Sequence, residues 1–113
     1  MSEKVAYKIV EVVDGKIRTL FHGLAGSRTV PFSKWLEADV KLGRDGSGDR
    51  YYLTGWHTLP TKEDAFKYME RFKSRTDILR VIKCTVRDTW KKEHSPHPVI
   101  LSRYIKFEEL LGG

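Results

Sequence analysis

The Asp14-Gly15 dipeptide constrains the fold of this chain more than any other feature, because it separates two runs of alternating side chains. A two-residue type I′ turn needs positive φ at both central positions, and Asp-Gly is a preferred pair there. Residues 5–13 and 16–21 flank the turn with the alternating pattern that is typical of β-strands. The sequence therefore predicts an N-terminal β-hairpin.

The length and composition of the chain limit it to one domain. Its 113 residues agree with the ~100–150 residues that are typical of a single domain. A hydrophobic fraction of 40% and an aromatic fraction of 12% are enough to form a core, since aromatic side chains bury large areas. We therefore expect residues 1–113 to form a single domain.

Three features of the sequence predict a cytoplasmic protein that does not bind a membrane. No apolar run approaches the ~20 residues of a membrane-spanning helix. Residues 1–4 lack the apolar stretch of a signal peptide. Cys84 is the single cysteine, which excludes an internal disulfide.

A helix is predicted over residues 61–75. Thr61 is a good N-cap, because its side chain can accept a hydrogen bond from a free amide of the first turn. Apolar residues recur at helical spacing from Ala65 to Phe72. The β-branched run over residues 78–86 follows and predicts a central strand.

The order of these elements predicts the fold class. A hairpin, an irregular middle, a strand, one helix and two further strands indicate an α+β fold. We expect a largely antiparallel sheet with the main helix, about 61–75, packed on one face. Residues 87–98 would form an exposed excursion, and residues 108–111 a short terminal turn. The half-covered second face of the sheet would carry Tyr, Trp and Val and recruit another copy, so a homo-oligomer is expected.

The positive charge of the chain is concentrated in one segment. The formal net charge is +6, and residues 71–92 hold eight Lys or Arg but only two Asp. The rest of the chain carries equal numbers of both signs. Clustered cations attract polyanions through long-range steering and counterion release. The alternative is a solvated helix end followed by polar strand positions.

The basic segment predicts contact with an acidic protein or a nucleic acid. Trp90 lies between cations there, which is typical of a platform for stacked bases, but the same residue could instead hold a loop against the core. The candidate contact residues are Lys73, Arg75, Arg80, Lys83, Arg87, Trp90, Lys91 and Lys92.

A second candidate site centres on His57, which lies between a predicted strand and the predicted helix. Histidine titrates near neutral pH, and the amides at a helix N-terminus suit a phosphate or carboxylate. If His22 ends a neighbouring strand, the two histidines would share a pocket with Tyr51 or Tyr52. The alternative is that His57 is packed and forms hydrogen bonds to its turn.

No catalytic residue, metal site or cofactor is predicted. His94 and His97 are three residues apart, but prolines prevent their presentation on a helix and no third ligand is near. Cys84 lacks an adjacent base, so it is interpreted as a buried small hydrophobic residue.

Several short motifs occur together along the chain, and they are Tyr7-Lys8-Ile9-Val10, Asp14-Gly15, Gly55-Trp56-His57, Thr61-x-x-x-Ala65-x-x-Tyr68 and the strand over residues 81–86. In this combination the chain resembles a set of short uncharacterised phage and bacterial domains with a Gly-aromatic-His element before a helix. These domains have no agreed activity. The resemblance therefore implies a phage or other mobile-element origin and little chemistry.

The His22-Gly23 pair and the helix that begins at Thr61 also resemble features of ADP-ribosyltransferases. In those enzymes a tyrosine follows the Gly-x pair where this chain has His57. The resemblance implies a catalytic glutamate, for which only Glu108 or Glu109 is at hand.

Three functional hypotheses follow from the sequence. The first is a non-enzymatic binding protein that contacts an acidic partner or nucleic acid through residues 71–92. The second is a small nucleotide-ligand binder or ADP-ribosyltransferase-like enzyme with a His22/His57 pocket. The third is a structural or scaffold domain without a ligand.

Overall fold

The computed structural model describes residues 2–20, 29–44, 51–75, 78–92, 95 and 97–112. This part of the chain contains nine strands, an α-helix and a 3-10 helix. In chain order these are β1 (Glu3–Val13), β2 (Lys16–Arg18), β3 (Thr29–Val30), β4 (Trp35–Glu37), β5 (Leu42–Arg44), β6 (Tyr51–Leu53), β7 (Trp56–Thr58), α1 (Lys62–Met69), the 3-10 helix (Glu70–Arg75), β8 (Leu79–Lys91) and β9 (Ile100–Gly112).

The N-terminal hairpin is confirmed. β1 and β2 pair antiparallel with Val13 opposite Lys16. Asp14 and Gly15 form the turn with φ of 53° and 75°, which are the positive values that a type I′ turn requires. This element is determined locally, because the turn residues and the flanking alternation specify the same register.

The main sheet is antiparallel throughout, with strand order β3-β2-β1-β8-β9-β4, and β7 also pairs with β9. β5 and β6 form a separate two-stranded ribbon. The longest strands, β1, β8 and β9, lie side by side at the centre. β8 confirms the predicted central strand.

The sheet curls into a half-barrel. The β8–β9 ladder shifts register between Val81 and Ile82 and again between Lys83 and Cys84, and bulges of this kind increase the local bend and twist. On the far side, Leu59 exchanges two backbone hydrogen bonds of 2.8 and 2.7 Å with Tyr7 of β1. The segment after β7 therefore reaches from β9 across to β1.

The predicted α+β architecture, with a main helix over about 61–75 packed on one face of the sheet, was wrong. The chain is mostly antiparallel sheet, and the larger core cluster lies inside the curl between the strands themselves. The α-helix is also shorter than predicted, and a 3-10 helix continues from it to Arg75. Its α-helix ends at Met69, and Phe72 in the following 3-10 helix has non-helical φ and ψ of −113° and 47°.

The predicted N-cap of the helix is confirmed, since the Thr61 hydroxyl accepts a hydrogen bond from the Asp64 amide at 3.1 Å. The buried side chains of Ala65 and Met69 belong to a second, smaller core cluster. The other buried members of this cluster are Ile9, Leu20, Leu59, Leu79 and Val81. No helix in the described ranges is long and apolar enough to cross a membrane.

Two further expectations were wrong. The strand that was predicted to end before residue 87 continues to Lys91, and residues 108–111 extend β9 instead of forming a turn. The two strands pair with each other along almost their whole length. This pairing satisfies their backbone groups despite the polar side chains of both segments, which is why the composition alone was misleading.

Candidate functional site

Tyr68 of α1 contacts Arg71, which begins the basic segment, and His97, which follows that segment in sequence. The guanidinium carbon of Arg71 lies 5.0 Å from the centre of the Tyr68 ring. The ring of His97, from the β8–β9 connection, packs edge-on with its centroid 5.0 Å from that of Tyr68. Tyr68 thus joins the end of the helix to the end of the long hairpin.

The curl of the sheet explains this meeting. β8 ends at Lys91, and the Lys92 amide donates a hydrogen bond of 3.1 Å to the carbonyl oxygen of Val99. Val99 packs against the same cluster as Tyr68 and Phe72. The cations at the end of β8 therefore lie at the same end of the molecule as Arg71, although about twenty residues separate them in sequence.

We call this end of the molecule the Tyr68 surface: Arg71 and His97 contact Tyr68 there, Lys67 is in the last turn of α1, and Lys91 and Lys92 are at the end of β8. Lys67, Arg71 and Lys91 are exposed. In the described part of the chain these three cations form no ion pair, and Glu70 is the one described acid between Lys67 and Arg71 in sequence. The surface therefore presents a local excess of positive charge to solvent.

The other predicted contact residues do not share this surface. In the regular β1–β8 ladder, Arg80 lies opposite Val10, whereas Lys83 and Arg87 lie on the opposite face of the sheet. The guanidinium of Arg80 donates a hydrogen bond of 2.7 Å to the Leu79 carbonyl oxygen. The side chains of Lys73 and Arg75 lie outside the described part of the structure.

Arg87 of β8 packs on an aromatic ring. Its guanidinium carbon lies 3.8 Å from the centre of the Trp35 ring, and the Lys106 ammonium lies 5.0 Å from the same centre. An arginine over a tryptophan at this distance is a cation–π contact. Arg87 thus belongs to a second group of residues around Trp35.

Trp90 packs on the chain segment that leads into β7. Its indole Nε1 donates a hydrogen bond of 3.2 Å to the Leu53 carbonyl oxygen. A Cβ built on Gly55 would lie 3.2 Å from two atoms of the Trp90 ring. These contacts correspond to the alternative in which Trp90 holds a loop against the rest of the fold.

The proposed histidine pocket is not brought together by the described residues. His22 and the side chains of Tyr51 and Tyr52 lie outside them. His57 is in the middle of β7, opposite Leu101 of β9, and its Nδ1 lies 3.2 Å from the Gly55 carbonyl oxygen. His57 therefore has the hydrogen bond to its own turn that the packed alternative required.

Sequence reasoning missed Lys8, which is partly buried on the inner face of the curl. Its ammonium donates a hydrogen bond of 2.7 Å to the His57 carbonyl oxygen. Burial lowers the pKa of Lys8 from 10.5 to about 8, although the nearby Cys84 thiolate would act in the opposite direction. The available signal was its position between Ala6 and Val10, which are both fully buried.

The buried state predicted for Cys84 is confirmed. Its Sγ donates a weak hydrogen bond of 3.7 Å to the Ile82 carbonyl oxygen. Burial raises the pKa of the thiol to about 12. Cys84 is therefore a protonated, inaccessible thiol at neutral pH, which excludes the thiolate chemistry of a nucleophile in the folded state.

We expect this burial to protect Cys84 from thiol reagents. In the folded protein near pH 8, modification by an aromatic disulfide should be at least ~100-fold slower than in the same protein unfolded by guanidinium chloride, because only the accessible thiolate reacts. Absorbance of the released thiolate measures both rates. Equal rates would show that the thiol is open to solvent in the folded state.

The described residues include only part of the side chains considered for metal binding and catalysis. No group of three or more metal-binding side chains is found among them; His94 is outside the described part, and His97 packs on Tyr68. Of the two glutamates considered for catalysis, Glu108 accepts a hydrogen bond from the Thr85 hydroxyl and lies 3.8 Å from the Lys106 ammonium. Comparisons of the chain with models of protein families, with curated proteins and with solved structures find no match.

Proposed function

We propose that this protein is a non-enzymatic nucleic-acid-binding protein and that it contacts the phosphate backbone through the Tyr68 surface. The observation that carries the proposal is that Arg71 and His97 both contact the ring of Tyr68. These contacts bring Arg71, at the start of the basic segment, together with His97, which lies five residues after its end. The excess charge of the chain, +6 in total, supports the same conclusion.

Nucleic acid fits this surface better than an acidic protein does. The cations are exposed side chains on flexible stems, and such groups neutralise repeated phosphates without a fixed geometry. Protein interfaces depend more on aromatic anchors that enter a desolvated pocket. Tyr68 is already packed between Phe72, His97 and Arg71, so it is not a free anchor of that kind.

The other hypotheses from the sequence remain predictions. The resemblance to short phage and bacterial domains implies an origin and no contact surface. The nucleotide-binding or ADP-ribosyltransferase-like alternative depends on His22, which lies outside the described residues. A scaffold without a ligand is the outcome that remains if no nucleic acid binds.

The proposal predicts a strong dependence of binding on salt. We expect a labelled single strand of about 30 nucleotides to bind near 50 mM salt and to lose affinity steeply toward 200 mM, because each phosphate contact releases about 0.7 counterions. The double variant Lys91→Ala/Lys92→Ala should weaken binding equally for unrelated sequences and lower the salt slope by about 1.4. Fluorescence anisotropy measures both quantities.

Lys16→Ala/Lys34→Ala is the matched control, because it removes the same charge from two exposed residues outside the Tyr68 surface. It should leave the affinity nearly unchanged. Equal losses in both double variants would mean that net charge, and not this surface, is responsible. Absence of a complex near 50 mM salt would contradict the function itself, and equally tight binding of polyglutamate would favour an acidic protein partner.

A further inference from the structure

One residue of the Tyr68 surface differs from the others in its charge. The residues that stay cationic throughout the neutral pH range are Lys67, Arg71, Lys91 and Lys92. A histidine, by contrast, gains and loses its proton in this range. His97 is half-buried, so part of it is open to a ligand. Among the described residues of the surface, His97 is therefore the one whose charge depends on pH near neutrality.

His97 lies close to cations from two parts of the chain. The centroid of its ring and the guanidinium carbon of Arg71 are each 5.0 Å from the centre of the Tyr68 ring. They are therefore no more than about 10 Å apart, which is the Debye length near 0.1 M salt. The His97 carbonyl oxygen accepts a hydrogen bond of 2.8 Å from the Val99 amide, and the Val99 carbonyl oxygen accepts one of 3.1 Å from the Lys92 amide.

The charged groups on the elements around His97 are of both signs. The cations are Lys67, Arg71, Lys91 and Lys92, and the acids of α1 and the 3-10 helix are Glu63, Asp64 and Glu70. The Asp64 carboxylate accepts a hydrogen bond of 2.8 Å from the Thr61 hydroxyl, so it already has a partner at the helix cap. His97 forms no ion pair with any described acid.

A phosphate that binds beside a histidine links the proton to the affinity. The phosphate stabilises the positively charged imidazolium form, because opposite charges attract. Coupling between two binding events is reciprocal. Protonation of a histidine in such a site therefore raises the affinity for phosphate by the same factor by which the phosphate favours protonation.

We infer that His97 is a proton-dependent phosphate contact, so that this protein binds nucleic acid more tightly as the pH falls through neutrality. The inference rests on the proposed function of the Tyr68 surface and adds its regulation. At high pH the imidazole is neutral, and lysine and arginine alone hold the strand. At low pH the imidazolium adds one positive charge. Because His97 is packed against Tyr68, this charge is placed beside Arg71.

Binding of a labelled strand of about 30 thymidine nucleotides tests the inference between about pH 8 and pH 5.5. Thymine has no group that titrates in this range, so a change in affinity comes from the protein. Near 50 mM salt the affinity should rise at least ~5-fold toward the lower pH, and the salt slope should increase by about 0.7. Fluorescence anisotropy measures both quantities, and circular dichroism shows that each protein is folded.

His97→Gln should lose most of this rise and keep the affinity of the original protein at high pH. The other histidines are present in both proteins, so the difference between them is due to His97. His97→Arg supplies a permanent planar cation. It should bind at high pH about as tightly as the original protein binds at low pH, which a purely structural role of His97 would not produce.

His57→Gln is the matched control, because it removes the imidazole of β7, whose Nδ1 lies 3.2 Å from the Gly55 carbonyl oxygen. It should retain the rise. An equal rise in the original protein and in His97→Gln would overturn the inference, and so would loss of the rise in His57→Gln alone. Binding that does not depend on pH would overturn it and leave the proposed function intact. Absence of binding at every pH would contradict both.

Discussion

Replacement of Gly55 by alanine is expected to destabilise the protein by about 3 kcal/mol, which is a large part of the stability of a small domain. A Cβ at this position would lie 2.6 Å from the Ser102 carbonyl oxygen and 3.2 Å from the ring of Trp90. The carbonyl oxygen belongs to the backbone of β9, which pairs with β7 and β8. It cannot move without disturbing two ladders. Urea denaturation measures the loss of unfolding free energy.

Gly15→Ala is the matched control for that prediction. Gly15 has φ of +75°, but a Cβ there meets no atom within 4 Å. Its replacement should therefore cost only the conformational strain of a positive φ, about 1 kcal/mol. If the two variants lost the same stability, close packing at Gly55 would not be the reason for its glycine.

The comparison of these two glycines shows what could be predicted from the sequence. Gly15 is explained by its neighbours in the chain, since an Asp-Gly turn between alternating runs specifies a hairpin. Gly55 is explained by Ser102 and Trp90, which are far from it in sequence. Thr61 belongs to the first kind, because an N-cap depends only on the next three residues.

The architecture could not be predicted from the sequence because it depends on how strongly the main sheet bends. Residues 87–98, which include Lys91, were predicted to form an exposed excursion before Val99, but the sheet bends so far that Val99 packs beside Tyr68. The two register shifts leave Leu111 and Glu108 of β9 as extra residues opposite β8, and neither residue type distinguishes a bulge from a regular strand. The local sequence pattern therefore predicted strands, but it did not predict how the sheet bends.

The candidate site was predictable only in part, for the same reason. Composition showed the excess charge of residues 71–92, but the direction of each side chain depends on pairing. Strand alternation separates Arg80 from Lys83 and Arg87, while the curl brings Val99, the backbone partner of Lys92, into the cluster of Tyr68. Lys8 was missed because residues 6–10 of β1 have buried side chains on both faces, so an alternating pattern could not show which positions lie inside.

Substitution of Lys8 by methionine is expected to change how stability depends on pH. Because the folded-state pKa of Lys8 is about 8 instead of 10.5, the unfolded chain binds more protons than the folded protein between these two values. The unfolding free energy contributed by Lys8 therefore rises with pH through this window and is at its lowest below about pH 8. Lys8→Met should lack this rise.

The expected difference is measurable between about pH 7 and pH 9, where the original protein should gain roughly 1 kcal/mol relative to Lys8→Met. Cys84 acts in the opposite direction at higher pH, because its folded-state pKa of about 12 keeps the thiol protonated after the unfolded chain has lost that proton. Comparison of two proteins that both contain Cys84 largely removes this contribution.

Lys16→Met provides the control for the Lys8 prediction, because it removes an exposed ammonium from the hairpin turn. Its stability should follow the pH dependence of the original protein. If Lys8→Met also followed it, the Lys8 amine would be hydrated in the folded state. The hydrogen bond of 2.7 Å from the Lys8 ammonium to the His57 carbonyl oxygen would then be in contact with water. Closure of the half-barrel would in that case depend on the Tyr7–Leu59 backbone bridge and not on a buried cation.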